Sequence, residues 1–511
     1  MFLTIKRMSW VLPVAGLLAL APRAHAAGDV TIGLDANIVG LDPADLNDNL
    51  SMTATRTMLQ GLYGFDKNMK MVPVLAESTD ANKEATEFVV HLRHGVVFHD
   101  GAPFNAQAVK ISFDRARDPA NHLKRASLYA PIKSVDVVDD YTVKITLNAP
   151  FGAMINNFAH QAFAISSPKA IATYGKDLGR HPTGTGPYKF VSWQTDTLKV
   201  EKNDHYWKPG LPKIDTLTIH STPENGSRLA ALQAGEVQFI YPMPPEMVRV
   251  IEKDPRLDVV ASKSIYARYV ALNTMRKPFD DIRVRQALNY AVDKQAFLKV
   301  VFNGYGVPLD APLPANLSGY SKQTAYPYDP AKARALLAEA GYPHGFSSAL
   351  WGGNSTITER GMQFLQQQFA AVGVKVTVDP LESGVAAAKV WNVKTPADAT
   401  TLMYYTAWSA STGDADWGLR PLFYGKSFPP TLFNVAYYSN PKVDADIKAG
   451  LTTADAAKRT AAYNDAQAII WKDAPWIFLV SDDNVAAKSK KLSGIYVLPD
   501  GQMLTEEAAL N

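Results

Sequence analysis

Apolar side chains recur along this chain at two spacings, every second residue and every third or fourth, and the alternation between them divides it into strands and helices. In the stretch from Thr86 to Arg115, Phe88, Val90 and Leu92 alternate with Val89 and His91, which predicts a strand. Gly95 and the Asp100-Gly101 pair mark turns, and Asn105 stands where it can cap a helix carrying Val109, Ser112 and Phe113. A short strand is predicted at Val30 to Leu34, and the polar stretch Asp45 to Asn49 leads into a helix from Met52 to Leu62. Asn47 and Asn49 fit helix caps and are also candidates for a site on the loop after the first strand. Val135 to Val138 and Thr142 to Leu147 alternate across Asp139-Asp140 as a hairpin.

The pattern changes in the second half. A strand around Ile265 to Asn273 places Arg268 between Ala267 and Tyr269, and a guanidinium in apolar surroundings needs acceptors. A structural salt bridge or a ligand carboxylate would supply them. Helices are predicted at 278–301, 329–341 and 358–372, strands at 374–378 and 401–405, then a helix at 456–471 and a strand at 476–480. Helix and strand alternating in this way predict an α/β domain.

Length and composition narrow the picture. A chain of 511 residues exceeds what one core usually holds, so at least two lobes joined by short hinges are expected. Lys6 and Arg7 precede an apolar run from Met8 to Leu20 that is broken by Pro13, and Ala24-His25-Ala26 offers a small-residue cleavage site, which together read as an export signal over residues 1–26. Cysteine is absent, which excludes disulfides, thiol catalysis and a lipid-modified cysteine tether. Lys6, Arg7 and Arg23 account for the formal charge of +3, leaving the rest of the chain close to neutral and giving no footprint for nucleic acid.

Catalytic patterns are missing. There is no Gly-x-Ser-x-Gly elbow and no His-Glu-x-x-His helix, and His91, His94 and His99 are spaced so that strand geometry and the Gly95 turn separate them, which argues against a metal site. Thr185 lies in the turn of HPTGTGPYKF (181–190), whose backbone N–H groups could cradle an anion, but no Gly-Lys-Ser/Thr follows as in a nucleotide loop. The segment YYTAWSASTGDADW (404–417) is the best candidate for a recognition loop: Tyr404 and Trp408 offer apolar faces, Ser409, Ser411 and Thr412 offer short donors and acceptors.

The order of the Thr86–Arg115 unit and the Gly-Thr-Gly-Pro-Tyr motif resembles the extracellular solute-binding proteins that feed peptide, nickel and opine importers of the ATP-binding-cassette type. DPANHLKR (118–125), YYTAWSASTGDADW and PPTLFNVAYYSNPKVD (429–444) are similar to the glutathione-binding members of that group along nearly the whole chain. The resemblance implies an α/β, two-lobed periplasmic binding protein of type II, cluster C-like, with an interlobe ligand cleft. Its expected divisions are lobe 1 over 27–265, with a satellite subdomain at about 71–175, lobe 2 over 266–481, and a tail over 482–511 returning to lobe 1. It implies a monomer in the periplasm that hands glutathione or a similar small peptide to an inner-membrane permease, without cofactor, metal or catalysis of its own. Glutathione carries two carboxylates and an ammonium, so Arg125, Arg268 and Arg117 are the candidates for its acids and Asp416 for its ammonium. Ser411 stands where peptide-binding relatives place an aspartate. A dipeptide, oligopeptide or nickel-chelate receptor is the alternative within the family, and a secreted peptide hydrolase the alternative outside it.

Overall fold

A computed structural model describes residues 28–511, and the export signal expected over 1–26 lies outside the described residues. Val30, Ile32 and Leu34 are fully buried, which sets the strand Asp29–Leu34 inside a sheet, between the parallel strands Thr216–Ser221 and Phe239–Tyr241. Seven strands form this first sheet, with Leu257–Ser262 at one edge and Tyr188–Trp193 at the other. A second sheet of six strands centres on Tyr266–Leu272, flanked by Trp476–Asp482 and Met403–Ser409. Alternate residues of that central strand serve different cores: Val270 and Leu272 pack with the helices on one face, Ala267, Tyr269 and Ala271 with an aromatic-rich core on the other.

The chain passes between the sheets twice. It leaves the first at Ser262 and enters the second at Tyr266; it leaves the second at Asp482, and Asn484–Ser489 then pairs antiparallel with Leu257–Ser262 and Phe239–Tyr241. Two short crossings between two packed sheets make a hinge, because a few dihedral angles carry the only covalent links.

A four-stranded antiparallel sheet stands apart from both, in the order Ala76–Ala81, Glu87–Leu92, Thr142–Leu147, Ile132–Asp139. Phe88, Val90 and Leu92 face inward as their alternation requires, and the helix Ala106–Arg117 covers them, with Asn105 accepting from Ala108 N at 3.1 Å as its cap. Phe113 packs edge-on against Tyr129 and Phe163.

Two elements differ from their sequence expectation. The helix expected over 52–62 spans Asn49–Arg56, because the carbonyls of Thr57 and Met58 accept from Tyr188 N at 3.0 Å and Gly186 N at 2.9 Å instead of continuing the helical ladder. A Cβ on Gly186 would lie 2.6 Å from the Met58 carbonyl carbon, so the turn needs its glycine. The helix expected over 278–301 is two, Ile282–Tyr290 and Lys294–Phe302, since Asp293 accepts from Ala296 N at 2.9 Å and starts a new one.

Candidate functional site

The second sheet leaves one strand edge open. Tyr266–Leu272 pairs with the whole of Met403–Ser409, whereas on the other side Ser347–Gly353 reaches only Met403, Tyr404 and Tyr405 before diverging. Thr406 to Ser409 thus lacks a ladder neighbour on that side, and an unpaired edge is a template for an added extended chain. Ser409 Oγ, at the end of this stretch, is buried without a hydrogen-bond partner among the described residues.

Beside this edge a cavity of about 560 Å³ lies between the lobes. Lobe 1 lines it with Asp35, at the end of the first strand, with Arg228, and with the turn Tyr241–Glu246; lobe 2 contributes Arg268, Phe302, Ala407 and the start of the helix Thr356–Ala370. That helix is 15 residues long and capped by Ser355, so its first turn presents free N–H groups and the positive end of its dipole to the cavity.

The charges here are partnered to different degrees. Arg268 forms a bidentate pair with Asp482, at 2.6 and 2.9 Å, and its guanidinium also lies 4.9 Å from the Phe302 ring centre. Burial alone would lower its pKa, yet Asp482's charge and hydrogen bonds carry it above its already high ordinary value. Arg228, 1% exposed, gives its terminal nitrogens to Thr222 O, Asn225 Oδ1 and Pro242 O. Arg360 meets only Glu246, 3.7 Å away across the cleft, which leaves most of its fork free among the described residues. Burial raises the Asp35 carboxyl pKa, and Arg228's charge opposes the shift.

The opposite face of the same strand carries aromatic side chains. Tyr404 meets Trp391 edge-on at 5.5 Å, Trp408 lies 5.0 Å from Phe433, and Trp408 Nε1 donates to Trp417 O at 2.7 Å. Trp391, Trp408 and Phe433 are only partly buried, so this wall has apolar area to offer.

Several residues singled out from the sequence sit elsewhere. Arg125 does not line the cavity: its Nε donates to Leu46 O at 2.6 Å, and burial lowers its pKa while Asp48 opposes the shift. Arg117 is occupied on the satellite by Asp114 at 2.9 Å and Lys133 O at 2.7 Å. Asp416 is 2% exposed, its two oxygens are paired with Arg420 at 2.9 and 2.8 Å, and it does not line the cavity. Thr185 is buried and donates to Gln60 Oε1 at 3.1 Å within the Gly-Thr-Gly turn, whose Gly184 and Gly186 N–H groups are held by His99 Nδ1 and Met58 O. Asn49 ties the hinge, its Nδ2 donating to Tyr266 OH at 2.8 Å and Asp500 O at 2.6 Å, while Asn47 is exposed. Ser411 is half-buried on the loop leaving the open edge, its N–H bonded to Ser409 O at 2.9 Å. Arg268, Tyr404, Trp408 and Ser411 are thus the four that the fold gathers around this edge.

His99 of the histidine cluster has a structural role. Its Nε2 donates to Gly186 O at 3.0 Å and its Nδ1 accepts from Gly184 N at 3.4 Å, which clamps the turn, and burial pushes its pKa down to about 4. No cluster of metal-ligating side chains occurs among the described residues.

Sequence reasoning missed Asp35, Arg228, Arg360 and Asp482. Asp35 directly follows the carboxyl end of the first strand, where ligands gather in open α/β sheets, and that position was its available signal. The other three look like ordinary surface charges in the sequence, and only the packing of the two lobes brings them together.

Two lobes on a double crossing, with an open edge and a charged cavity between them, have the architecture of a solute-binding protein. Residues 70–429 match the model of bacterial extracellular solute-binding proteins, family 5 Middle, and the chain belongs to that family. It is 50% identical over 512 residues to the glutathione-binding protein GsiB of Pectobacterium atrosepticum, covering 99% of each chain. With the GsiB of Salmonella typhimurium it shares 47% over 511 residues, covering 100% of this chain and 99% of the other. Among solved structures it resembles the periplasmic binding protein DppA from Helicobacter pylori in complex with the peptide STSA (28% identity, TM-score 0.78, 93% and 96% covered). It also resembles HbpA2 from Haemophilus parasuis (28% identity, TM-score 0.84, 95% and 100% covered).

Proposed function

We propose that this chain is a periplasmic receptor that captures glutathione between its lobes and presents the closed form to the permease of an ATP-binding-cassette importer, as a monomer and without chemistry of its own. The observation that carries this reading is the open edge Thr406–Ser409 beside a cavity holding both signs of charge. An extended tripeptide can add its backbone to that edge. One of its carboxylates fits the free fork of Arg360 and the N–H groups opening the helix Thr356–Ala370, since both favour an anion. The ammonium fits Asp35, a half-buried cavity acid with no ion-pair partner among the described residues. The names of the GsiB relatives, nearly half identical over their full length, support glutathione over other peptides.

Ligand binding would favour closure only by its differential affinity for the shut state, in which both lobes touch it. Calorimetry on the mature protein with reduced glutathione, a general dipeptide and a nickel chelate tests the choice. Saturable heat with glutathione, at a dissociation constant on the order of 1 μM or tighter (roughly −8 kcal/mol), is expected. Heat with the dipeptide but none with glutathione would transfer the reading to the dipeptide class. Recovery of the tripeptide uncut after prolonged incubation is expected as well, and its cleavage would favour a hydrolase.

A further inference from the structure

The satellite touches lobe 2 at a place remote in sequence from both crossings. Gly152 N donates to Leu451 O at 2.7 Å, joining the satellite to the turn between the helices Pro441–Leu451 and Ala456–Asp473. The approach is close enough to demand glycine: a Cβ at 152 would overlap Thr453 O and lie 2.6 Å from Arg459 Nη1. The neighbouring Phe151 is fixed on the satellite through its N–H to Ala85 O at 2.9 Å, and its ring centre lies 5.6 Å from the Arg420 guanidinium.

Both arginines at this contact reach back to the loop that leaves the open edge. Arg420 holds Asp416, and Arg459 donates to both oxygens of Asp414 at 2.7 Å. These carboxylates start the helix Ala415–Phe423, for which Asp414 is the cap. The seat for Phe151 and Gly152 is therefore built from the same charged cluster that fixes the end of the Trp408–Asp416 loop. No residue of this contact lines the interlobe cavity.

We propose that Phe151-Gly152 is a closure latch: a contact made only when the lobes are shut, outside the ligand site, that sets the closed fraction and through it the apparent affinity. The inference rests on the hinged reading of the fold given above. A ligand's apparent dissociation constant rises in inverse proportion to the fraction of competent protein, so weakening the latch weakens binding without touching a ligand contact.

The absence of cysteine makes the test clean. Spin labels on Lys83→Cys in the satellite and Lys458→Cys in lobe 2, both exposed, report the gap by pulsed electron resonance with and without glutathione. The parent is expected to show a short-distance population in at least one arm. Gly152→Ala should reduce that population and weaken apparent ligand affinity roughly tenfold. Phe151→Leu, which keeps an apolar side chain but removes the ring next to Arg420, should act in the same direction and serves if the alanine variant does not fold. Superimposable distance distributions for parent and variant, or a parent lacking the short distance in both arms, would overturn the latch. Glutathione heat in the parent is read separately and decides the ligand, so the two readings can fail independently.

Discussion

The Arg268–Asp482 pair ties the strand that follows one crossing to the strand that precedes the other, so its removal should be felt as loss of lobe stability. Both side chains are largely withdrawn from water, at 19% and 13% exposure, and joined by two hydrogen bonds of 2.6 and 2.9 Å. At an effective dielectric near 20, two unit charges about 4 Å apart attract by about 4 kcal/mol, most of which offsets their desolvation. Taking away one partner leaves the other buried and bare, so Asp482→Asn should cost about 3 kcal/mol. For a lobe of this size that lowers the melting temperature by roughly 6–12 °C. The double variant Arg268→Met with Asp482→Asn should recover at least half of the loss, which calorimetric melting of the four proteins in a cycle would read. Affinity separates the two roles open to Arg268. If Asp482 consumes its fork, the double variant should bind glutathione within about threefold of the parent, less than the 1.4 kcal/mol that a tenfold change represents. A loss below about 1 kcal/mol for Asp482→Asn, or additive effects in the cycle, would refute the reasoning.

Three further outcomes follow from the geometry. Arg360→Ala should weaken glutathione by roughly tenfold or more, about 1.4 kcal/mol, while leaving the ligand-free melting temperature nearly unchanged, because its pair with Glu246 is a loose rim contact. Arg125→Ala should do the reverse: losing the bond to Leu46 O costs about 1 kcal/mol of stability, and titration should find the affinity unaltered. Lys294 is 7% exposed, donates among the described residues only to Tyr326 O at 3.2 Å, and burial pushes its pKa down to about 7 from 10.5. Between those values the unfolded chain binds the extra proton, so stability should climb as pH rises from about 7 to about 10.5, by up to a few kcal/mol. Lys294→Met should abolish that rise, and parallel melting profiles for the two proteins would contradict it.

Much of the secondary structure was legible because each element satisfies its own local rules. Phe88, Val90 and Leu92 alternate and are buried; Asn105 precedes its helix and caps it; Asp329 accepts from Lys332 N at 2.9 Å to start the helix Pro330–Glu339. The misses lie where tertiary bonds override local spacing, as where Gly186 and Tyr188 take the Met58 and Thr57 carbonyls that would have extended the helix Asn49–Arg56. For the site, aromatic character and position on or after a strand singled out Tyr404, Trp408 and Ser411, which lie on the strand of the open edge or just past it. Charge type alone did not separate Arg360, with its fork open, from Arg117 and Arg125, whose donors their own neighbourhoods absorb. Asp416 shows the same limit, since a carboxylate's availability depends on whether an arginine such as Arg420 already holds it.

The most direct test of capture between the lobes is a crystal structure grown with glutathione. Density for an extended tripeptide is expected along Thr406–Ser409, one carboxylate at Arg360 and the first turn of Thr356–Ala370, the ammonium at Asp35, and the lobes shut over it. Glutathione bound on an outer surface, or lying in the cleft with neither Arg360 nor the strand edge engaged, would contradict the account.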